Sequence, residues 1–414
     1  MKVYIEGYGC VLNQADTDII KNSLIKEGFT IVDNLEEADI VIINTCIVRL
    51  ETENRMIYRI KKFKNMNKFV VVAGCLPKAL KEKINNLPYI LPKEAFKAGE
   101  ILKNYLKNEN IEHNDENLNK ELYKKLYLLE PKLITPLPIA EGCLGKCSFC
   151  IVRLARGSLK SYPREILVER VKYILNKGAK CLFITAQDTA CYGFDRGDNL
   201  ANLLNDLSSI DKEFIMRVGM MHPKSLMNVV DEVIESYKSE KVGKFLHLPL
   251  QSGDNEILKL MNRGYTVDEF IELVKEFRKK IKDLCFVTDI IVGFPTETDE
   301  QFNNTLEVLK KIKPDYIHAA KYTVRKKTPA AKMKQVDSKI KKERSRILDK
   351  LRRELSYKQN KKYIGKTLKC LIVDKNKAYL DNFKVVKVDC EDIGEFKKVK
   401  ITNAKTFGLL GKII

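Results

Sequence analysis

Residues 138–150 read Pro-Ile-Ala-Glu-Gly-Cys-Leu-Gly-Lys-Cys-Ser-Phe-Cys, a short apolar segment running into three cysteines spaced C-x3-C-x2-C. The spacing gathers Cys143, Cys147 and Cys150 in one tight loop. A long alternation of β and α patterns follows. Strand candidates at 181–185, 214–218, 245–249, 285–292 and 316–320 are separated by helical periodicity over 163–177, 254–262, 268–282 and 298–312. With Pro138-Ile139-Ala140 opening the series, six strands alternate with helices, which predicts a partial or full β/α barrel. Reactive groups in such a barrel stand on the loops after the strands, and the first of those loops carries the cysteine triad.

Upstream, three further cysteines share one setting. The stretches KVYIEGYGC, ADIVIINTC and KFVVVAGC are each an apolar β run, a short turn and then Cys10, Cys46 or Cys75. With an amphipathic helix over 13–27 and core strands at 40–43 and 70–73, residues 1–105 predict an open parallel α/β sheet. The carboxyl ends of its strands lie side by side over the crevice where such sheets place ligands, so three remote cysteines converge. A single cysteine after a buried strand is commonly a small core residue. Three at the same structural position form a different pattern. Zinc competes for the 143–150 loop, but structural zinc takes four protein ligands, and the nearest histidines are His113 and His222. Three thiolates with an open position suit an iron-sulfur cluster that keeps one iron free, so both triads are read as [4Fe-4S] sites.

The other cysteines, Cys181, Cys191, Cys285, Cys370 and Cys390, are read as reduced packing residues, because eleven cysteines in 414 residues do not make a disulfide scaffold. The opening MKVYIEGYGC enters a strand directly and carries no secretory pattern, and no apolar stretch approaches membrane-spanning length. The expectation is a cytoplasmic protein with no membrane partner. Residues 106–130 are polar and read as a linker; Pro131, Pro136 and Pro138 break the chain before the barrel, assigned to 131–355. A basic helix over 338–360 places Ile340, Ile347, Leu348, Leu351 and Leu355 on one face. Short β segments in 356–414, with Gly365, Gly394, Gly408 and Gly411 at turns, predict a small antiparallel β-barrel. The net charge of +20 is concentrated: residues 321–370 hold 19 Lys or Arg against four acids, a footprint for a polyanion.

These parts, in this order, resemble the radical-SAM methylthiotransferases over essentially the whole chain: a cluster-bearing N-terminal domain, a radical-SAM β/α (TIM-like) barrel and a C-terminal TRAM barrel. The run Cys-Ser-Phe-Cys-Ile-Val-Arg-Leu-Ala-Arg-Gly-Ser-Leu-Lys-Ser-Tyr-Pro (147–163) is most similar to the branch acting on threonylcarbamoyladenosine (t6A) in tRNA. Ile-Thr-Ala-Gln-Asp-Thr (184–189), His-Leu-Pro-Leu-Gln-Ser-Gly (247–253), Thr-Asp-Ile-Ile-Val-Gly-Phe-Pro-Thr-Glu-Thr (288–298) and Thr-Pro-Ala-Ala (328–331) also fit the family. A departure is Lys326-Lys327 before Thr328-Pro329, where many relatives have glycine.

The resemblance implies two [4Fe-4S] clusters and S-adenosylmethionine. The cluster on Cys143, Cys147 and Cys150 would bind S-adenosylmethionine at its open iron and split it to a 5'-deoxyadenosyl radical. The cluster on Cys10, Cys46 and Cys75 would present a sulfide that a first S-adenosylmethionine methylates. The acceptor would be C2 of the modified adenosine at position 37 beside the anticodon, giving 2-methylthio-t6A, reached in a single-stranded loop. Phe149 is either an adenine neighbour or barrel packing. Gln187, Asp188, Arg217, Gln251 and Asp289, at or near strand ends, are candidates for holding the cofactor; Gly293-Phe294-Pro295 is read as a tight turn that lets backbone approach it. Arg344, Arg346, Arg352 and Arg353 are expected to bind tRNA together with the terminal barrel, as are Arg153, Arg156 and Lys160 beside the cluster. Deleting 356–414 is expected to weaken RNA binding and leave cofactor cleavage nearly unchanged. Such chemistry also calls for an electron donor such as ferredoxin or flavodoxin and for a sulfur source. The competing readings are the same chemistry on isopentenyladenosine in tRNA or on a ribosomal protein side chain, and a non-catalytic iron-sulfur or zinc RNA-binding module.

Overall fold

The computed structural model describes residues 1–109, 111–113 and 117–414. At the N-terminus β1 (Lys2–Gly7), β2 (Thr30–Ile31), β3 (Ile40–Thr45), β4 (Phe69–Gly74) and β5 (Tyr89–Ile90) form a parallel sheet in the order β2-β1-β3-β4-β5. The central strand β3 is buried from end to end, because alternate residues serve two cores. Ile40 and Ile42 pack with Ile19 and Leu24 of the helix Val11–Lys26, whereas Val41 and Ile43 pack with Met56 and Phe63 of the helix Leu50–Asn65. A strand covered on both faces reads as a continuous apolar run, which is why the sequence pattern identified it. The three strands that precede cysteines, β1, β3 and β4, are direct neighbours.

The second layer begins at β6 (Ile134–Pro138), earlier than the sequence pattern suggests. Pro136 and Pro138 lie inside it without breaking it, because β6 is an edge strand paired only with β9 and need donate few ladder bonds. A two-residue hairpin, β7 (Ala140–Glu141) and β8 (Lys160–Ser161), frames the cysteine loop. The remaining strands are β9 (Cys181–Thr185), β10 (Ile215–Val218), β11 (Phe245–His247), β12 (Cys285–Val292) and β13 (Tyr316–Lys321). Two parallel sheets, β10-β9-β6 and β11-β12-β13, meet through a bridge between Met216 and Val242, giving an incomplete six-stranded barrel.

The C-terminal strands β14 (Thr367–Asp374), β15 (Lys377–Leu380), β16 (Val385–Lys387), β17 (Phe396–Lys405) and β18 (Gly408–Ile413) close a barrel in the order β14-β15-β16-β18-β17. The β16–β18 pair is parallel, so the barrel is antiparallel except at that seam. It is not a loose appendage. Leu371 and Phe383 join Cys181, Ile215, Phe245 and Cys285, at the amino ends of the large barrel's strands, in one apolar cluster. Buried Lys384 pairs with Asp315 at 2.6 Å and donates to Asn360 Oδ1 at 2.9 Å. The small barrel plugs the base of the large one, so deleting 356–414 exposes that cluster, and the expectation of a freely removable RNA clamp is corrected.

Two other readings change. Within 106–130, the polar stretch read as a linker, Leu122, Leu126 and Leu129 pack into the main core and Lys125 is fully buried. Its leucines at near-helical spacing were masked by the surrounding charge. The helix Ser338–Lys361 buries Arg344, Leu348, Leu355, Gln359 and Asn360, while Ile340 and Ile347 stay exposed. Its inner face is therefore rotated from the purely apolar one, and buried polar groups form part of the seam.

Candidate active site between two cysteine triads

Cys10 caps the helix Val11–Lys26, Cys46 follows β3 directly, and Cys75 opens the short helix Cys75–Ala79 after β4. Gly74 has φ +87°, and a Cβ there would stand 2.3 Å from Asn44 Oδ1 and 2.6 Å from Thr45 O, so only glycine lets the two cysteine-bearing turns touch. Thr45 Oγ1 donates to Ala73 O at 2.6 Å and accepts from Leu76 N–H at 3.1 Å, tying the Cys46 turn to the Cys75 turn. Asn13 bridges Tyr8 O and Thr45 O, fixing the Cys10 turn to both. Burial pushes the Cys46 and Cys75 thiols up, Cys75 to about 12; Arg156 pulls both down while Cys10 pushes both up. The three thiols thus lie within electrostatic reach of one another. A metal that binds them must displace their protons.

The second triad enters through Gly142, with φ +76°, where a Cβ would meet Ser158 O at 2.0 Å. Gly145 N–H donates to Cys143 Sγ at 3.2 Å, and Ser148 is pinned by bonds to Met261 O (3.0 Å) and Leu260 O (2.7 Å). Burial raises Cys143 to about 12 and also raises Cys150; each is raised further by the neighbouring thiols. Arg263, which the sequence reading missed, donates Nη1–H to Cys147 Sγ at 3.3 Å. Its Nη2 is held by Pro249 O at 2.9 Å and its Nε by the Tyr265 hydroxyl at 3.0 Å. Arg263 is 5% exposed, and among the described residues no carboxylate lies within ion-pair distance of it. Such a buried cation calls for the negative charge of thiolates. Burial drives His222 down to about 3, so its ring is neutral. Its Nδ1 accepts from Lys224 N–H at 3.2 Å, which puts the proton on Nε2, 3.9 Å from Cys147 Sγ. Two donors therefore point at one thiol.

Between the triads lies a cavity of about 560 Å³. The loop after Cys46 supplies Val48, Arg49, Glu51 and Thr52; the second triad supplies Phe149, Cys150, Ile151 and Val152. Its floor is His247, Asp289 and His318, with Gln251 beside them. Phe149 packs edge-on against Phe294 at 6.4 Å and also lines the cavity. Gln251, at φ +74°, and Gln187 each bury a side-chain oxygen that has no protein partner. Gln251 lines the cavity with Cys150, and its orphaned oxygen is an acceptor that the ammonium or hydroxyl donors of an amino-acid nucleoside would satisfy.

Of the other cofactor candidates, Asp188 and Asp289 have hydrogen-bonded protein partners, whereas Arg217 has ring contacts and a buried Nε without a hydrogen bond. Asp188 accepts from His222 N–H (2.8 Å), the Ser225 hydroxyl (2.7 Å) and Ala190 N–H (3.1 Å), so it holds a turn under the cluster loop. Asp289 Oδ1 accepts from His247 Nε2 and His318 Nδ1, both at 2.9 Å. Despite its burial these imidazoles hold it well below the usual carboxylate range. Arg217 stacks over Phe245 at 4.2 Å and Phe183 at 5.1 Å inside the barrel, facing the plug. Gly293, at φ +67°, does make a tight turn, but the chain that approaches it is Lys341 of the long basic helix.

The RNA candidates divide. Lys160 is exposed, and Arg153 is half-buried with Nη1 on Gly145 O at 3.3 Å. Arg156 is 1% exposed and pairs with Asp16 (2.6 Å) and Glu141 (3.1 Å), while Lys125 pairs with Asp16 at 2.5 Å and with Glu141. Two acids and two bases thus close a neutral buried network between the triads. Arg344 is buried against Glu297 and Asp299, each at 2.7 Å. Arg156 and Arg344 therefore cannot meet RNA, since their charge is neutralised inside the fold. Arg352 and Arg353 both pair with Asp349 and lie over the Phe407 ring. Arg346 is exposed and, among the described residues, without an ion-pair partner.

Residues 137–309 match the Radical SAM superfamily, and residues 2–91 match the Uncharacterized protein family UPF0004. Fold and cysteine loop therefore define a radical-SAM enzyme. A Methanocaldococcus jannaschii protein named probable threonylcarbamoyladenosine tRNA methylthiotransferase is 70% identical over all of this chain and 97% of its own length. A Pyrococcus horikoshii protein of the same name is 42% identical over the full length of both. The solved structure of the radical S-adenosylmethionine methyltransferase TsrM from Kitasatospora setae, with cobalamin and a [4Fe-4S] cluster bound, shares the fold at TM-score 0.58 and 14% identity, covering 80% of this chain and 77% of that one. The chain belongs to the radical-SAM tRNA methylthiotransferase family, whose members carry two [4Fe-4S] clusters and use S-adenosylmethionine. No helix among the described residues is long and apolar enough to cross a membrane.

Proposed function

We propose that this chain inserts a methylthio group at C2 of N6-threonylcarbamoyladenosine at position 37 of tRNA, in two steps that each consume S-adenosylmethionine. The observation that carries the reading is the cavity walled on one side by the residues after Cys46 and on the other by Phe149 and Cys150. A base placed there would lie between Cys150 and the segment that follows Cys46. Two relatives named for threonylcarbamoyladenosine, at 70% and 42% identity, favour that nucleoside over an isopentenyl one or a protein side chain.

Cys143, Cys147 and Cys150 would hold the cluster that supplies radical chemistry, and Cys10, Cys46 and Cys75 the one that supplies sulfur. When bound, these clusters with S-adenosylmethionine supply the hydrogen abstraction and the sulfur transfer that side chains cannot perform. The chain's own residues position and exclude. Gln187 and Gln251 would accept from the cofactor's polar hydrogens, Arg263 and His222 direct donors at Cys147, and Phe149, packed on Phe294, forms part of the cavity wall. Electrons come from a small carrier such as ferredoxin or flavodoxin, and sulfur from a separate source. The test is nucleoside mass spectrometry of bulk tRNA from cells with and without the gene. Loss of 2-methylthio-t6A, with t6A accumulating, is expected; an unchanged t6A profile with loss of a different methylthio nucleoside would reassign the substrate.

A further inference from the structure

Two of the cations that line the cavity stand without an ion-pair partner among the described residues. Its walls carry Arg49, Lys321, Arg325, Glu51 and Asp289 besides His247 and His318. Arg325 is met by Glu53 at 2.6 Å and by Ile47 O, and Asp289 is met by both imidazoles. Arg49, Lys321 and Glu51 have no ion-pair partner among the described residues. Glu51 stands in the first turn of the helix Leu50–Asn65, where the amide ends of the helix favour a carboxylate. With neutral imidazoles Arg49 and Lys321 are balanced in number by Glu51 and the ionised Asp289, but neither cation is held in an ion pair among the described residues. The cations also come from opposite sides: Arg49 from the loop after Cys46, Lys321 from the end of β13.

His318 adds a polar ring on the same strand as Lys321. Its side chain is half-exposed, and its Nδ1 faces the ionised Asp289, which can only accept, so the proton resides on Nδ1. In the neutral ring Nε2 is then an acceptor for a hydroxyl. A ligand matched to this wall carries one carboxylate and one hydroxyl on a short chain. Resting on the t6A reading above, we propose that Arg49 and Lys321 bind the threonine carboxylate of the target nucleoside and that His318 Nε2 accepts its hydroxyl, so that the cavity selects an anionic N6 substituent.

The test uses the cluster-loaded enzyme and anticodon stem-loop RNAs that differ only at the target base: t6A, the methyl ester of t6A, or unmodified adenosine. Charge-assisted hydrogen bonds from the two cations predict that the wild type binds t6A RNA roughly tenfold more tightly than the neutral ester. Arg49→Ala and Lys321→Ala each remove most of that ratio by raising KM for t6A RNA, with affinity for the ester RNA unchanged. Arg49→Lys keeps part of it. Wild-type turnover of t6A and ester RNAs with equal KM, or an Arg49→Ala/Lys321→Ala double variant that keeps the full ratio, overturns the subsite. Failure of the wild type to methylthiolate t6A RNA at all would instead overturn the substrate reading.

Discussion

Arg156 Nη2 donates to Asn13 Oδ1 at 2.9 Å, joining the loop of one cysteine triad to the helix that begins at the other. The two residues are 143 positions apart, yet each is almost fully buried. Asn13 in turn fixes the Cys10 turn, and the Arg156 guanidinium bears on Cys75. Arg156 thus ties the two triads together beside the apolar packing of Ile151 and Ala155 against Cys46 and Cys75.

Replacing Arg156 with Met leaves Asp16 and Glu141 facing Lys125 alone, one buried negative charge uncompensated. Breaking a buried ion pair in this way costs about 3–5 kcal/mol. Urea unfolding monitored by circular dichroism should show that loss, and iron analysis should show the N-terminal triad loading poorly. Arg156→Lys should recover part of the stability, because charge is kept while the fork to Asn13 is lost. Wild-type stability in the Met variant would mean the network is solvated.

Arg263 makes a parallel prediction for the other cluster. A cation donating to a ligand sulfur favours the more negative, reduced state, so Arg263→Gln should lower the reduction potential of that cluster. A tenfold shift in the reduction equilibrium corresponds to about 59 mV for one electron. Redox titration followed by electron paramagnetic resonance reads it directly, and S-adenosylmethionine cleavage should slow with a weak reductant but recover with a strong one. An unshifted potential would leave Arg263 with a purely structural role.

The assignment of the two triads separates in a single variant. Cys10→Ala/Cys46→Ala/Cys75→Ala should retain roughly half the iron of a protein with two cubane clusters and still form 5'-deoxyadenosine, yet give no methylthio nucleoside. Cys147→Ala should instead abolish 5'-deoxyadenosine formation. Full iron content in the triple variant would make those three cysteines ordinary core residues.

Why the six cysteines were legible and Arg263 was not follows from the signals each leaves. Strand β3 is apolar from end to end and ends at a cysteine, and a C-x3-C-x2-C loop is a local pattern; both survive without knowledge of tertiary contacts. Arg263 sits in Met-Asn-Arg-Gly-Tyr after a short helix, and nothing local marks it as buried; only the approach of Pro249 O and Cys147 does. The basic stretch misled for the same reason. In sequence Arg344 and Arg346 are alike, but one turns inward to Glu297 and the other outward, a difference of about 200° around the helix. Pro136 and Pro138 hid an edge strand because edge status is a property of the sheet.

The docking of the terminal barrel predicts that its removal damages the whole protein. Phe383 lies 6.0 Å from Phe183, 6.1 Å from Phe245 and 5.9 Å from Tyr379, ring centre to ring centre. Truncating a buried Phe costs about 3–5 kcal/mol. Phe383→Ala should therefore lower the thermal midpoint of the entire chain, seen by calorimetry as one shifted transition. A separate early transition, with the main one unmoved, would show that the small barrel unfolds by itself.

The last prediction concerns how tRNA reaches the cavity. Ser345 of the long helix lines the cavity, and its neighbours Lys342 and Arg346 are exposed and free of ion pairs among the described residues. Arg352 and Arg353, by contrast, are already paired with Asp349. Each phosphate neutralised by a basic side chain adds about −0.7 to −0.9 to the log-log slope of affinity against salt. Lys342→Glu/Arg346→Glu should therefore weaken tRNA binding and flatten that slope by one to two contacts, with thermal stability unchanged. Arg344→Glu should do the opposite, lowering stability by burying like charge beside Glu297. Binding by fluorescence anisotropy across a salt series, paired with thermal denaturation, distinguishes the two. If Lys342→Glu/Arg346→Glu binds tRNA with the wild-type slope, the RNA path runs instead over Lys160 and Arg153 beside the cysteine loop.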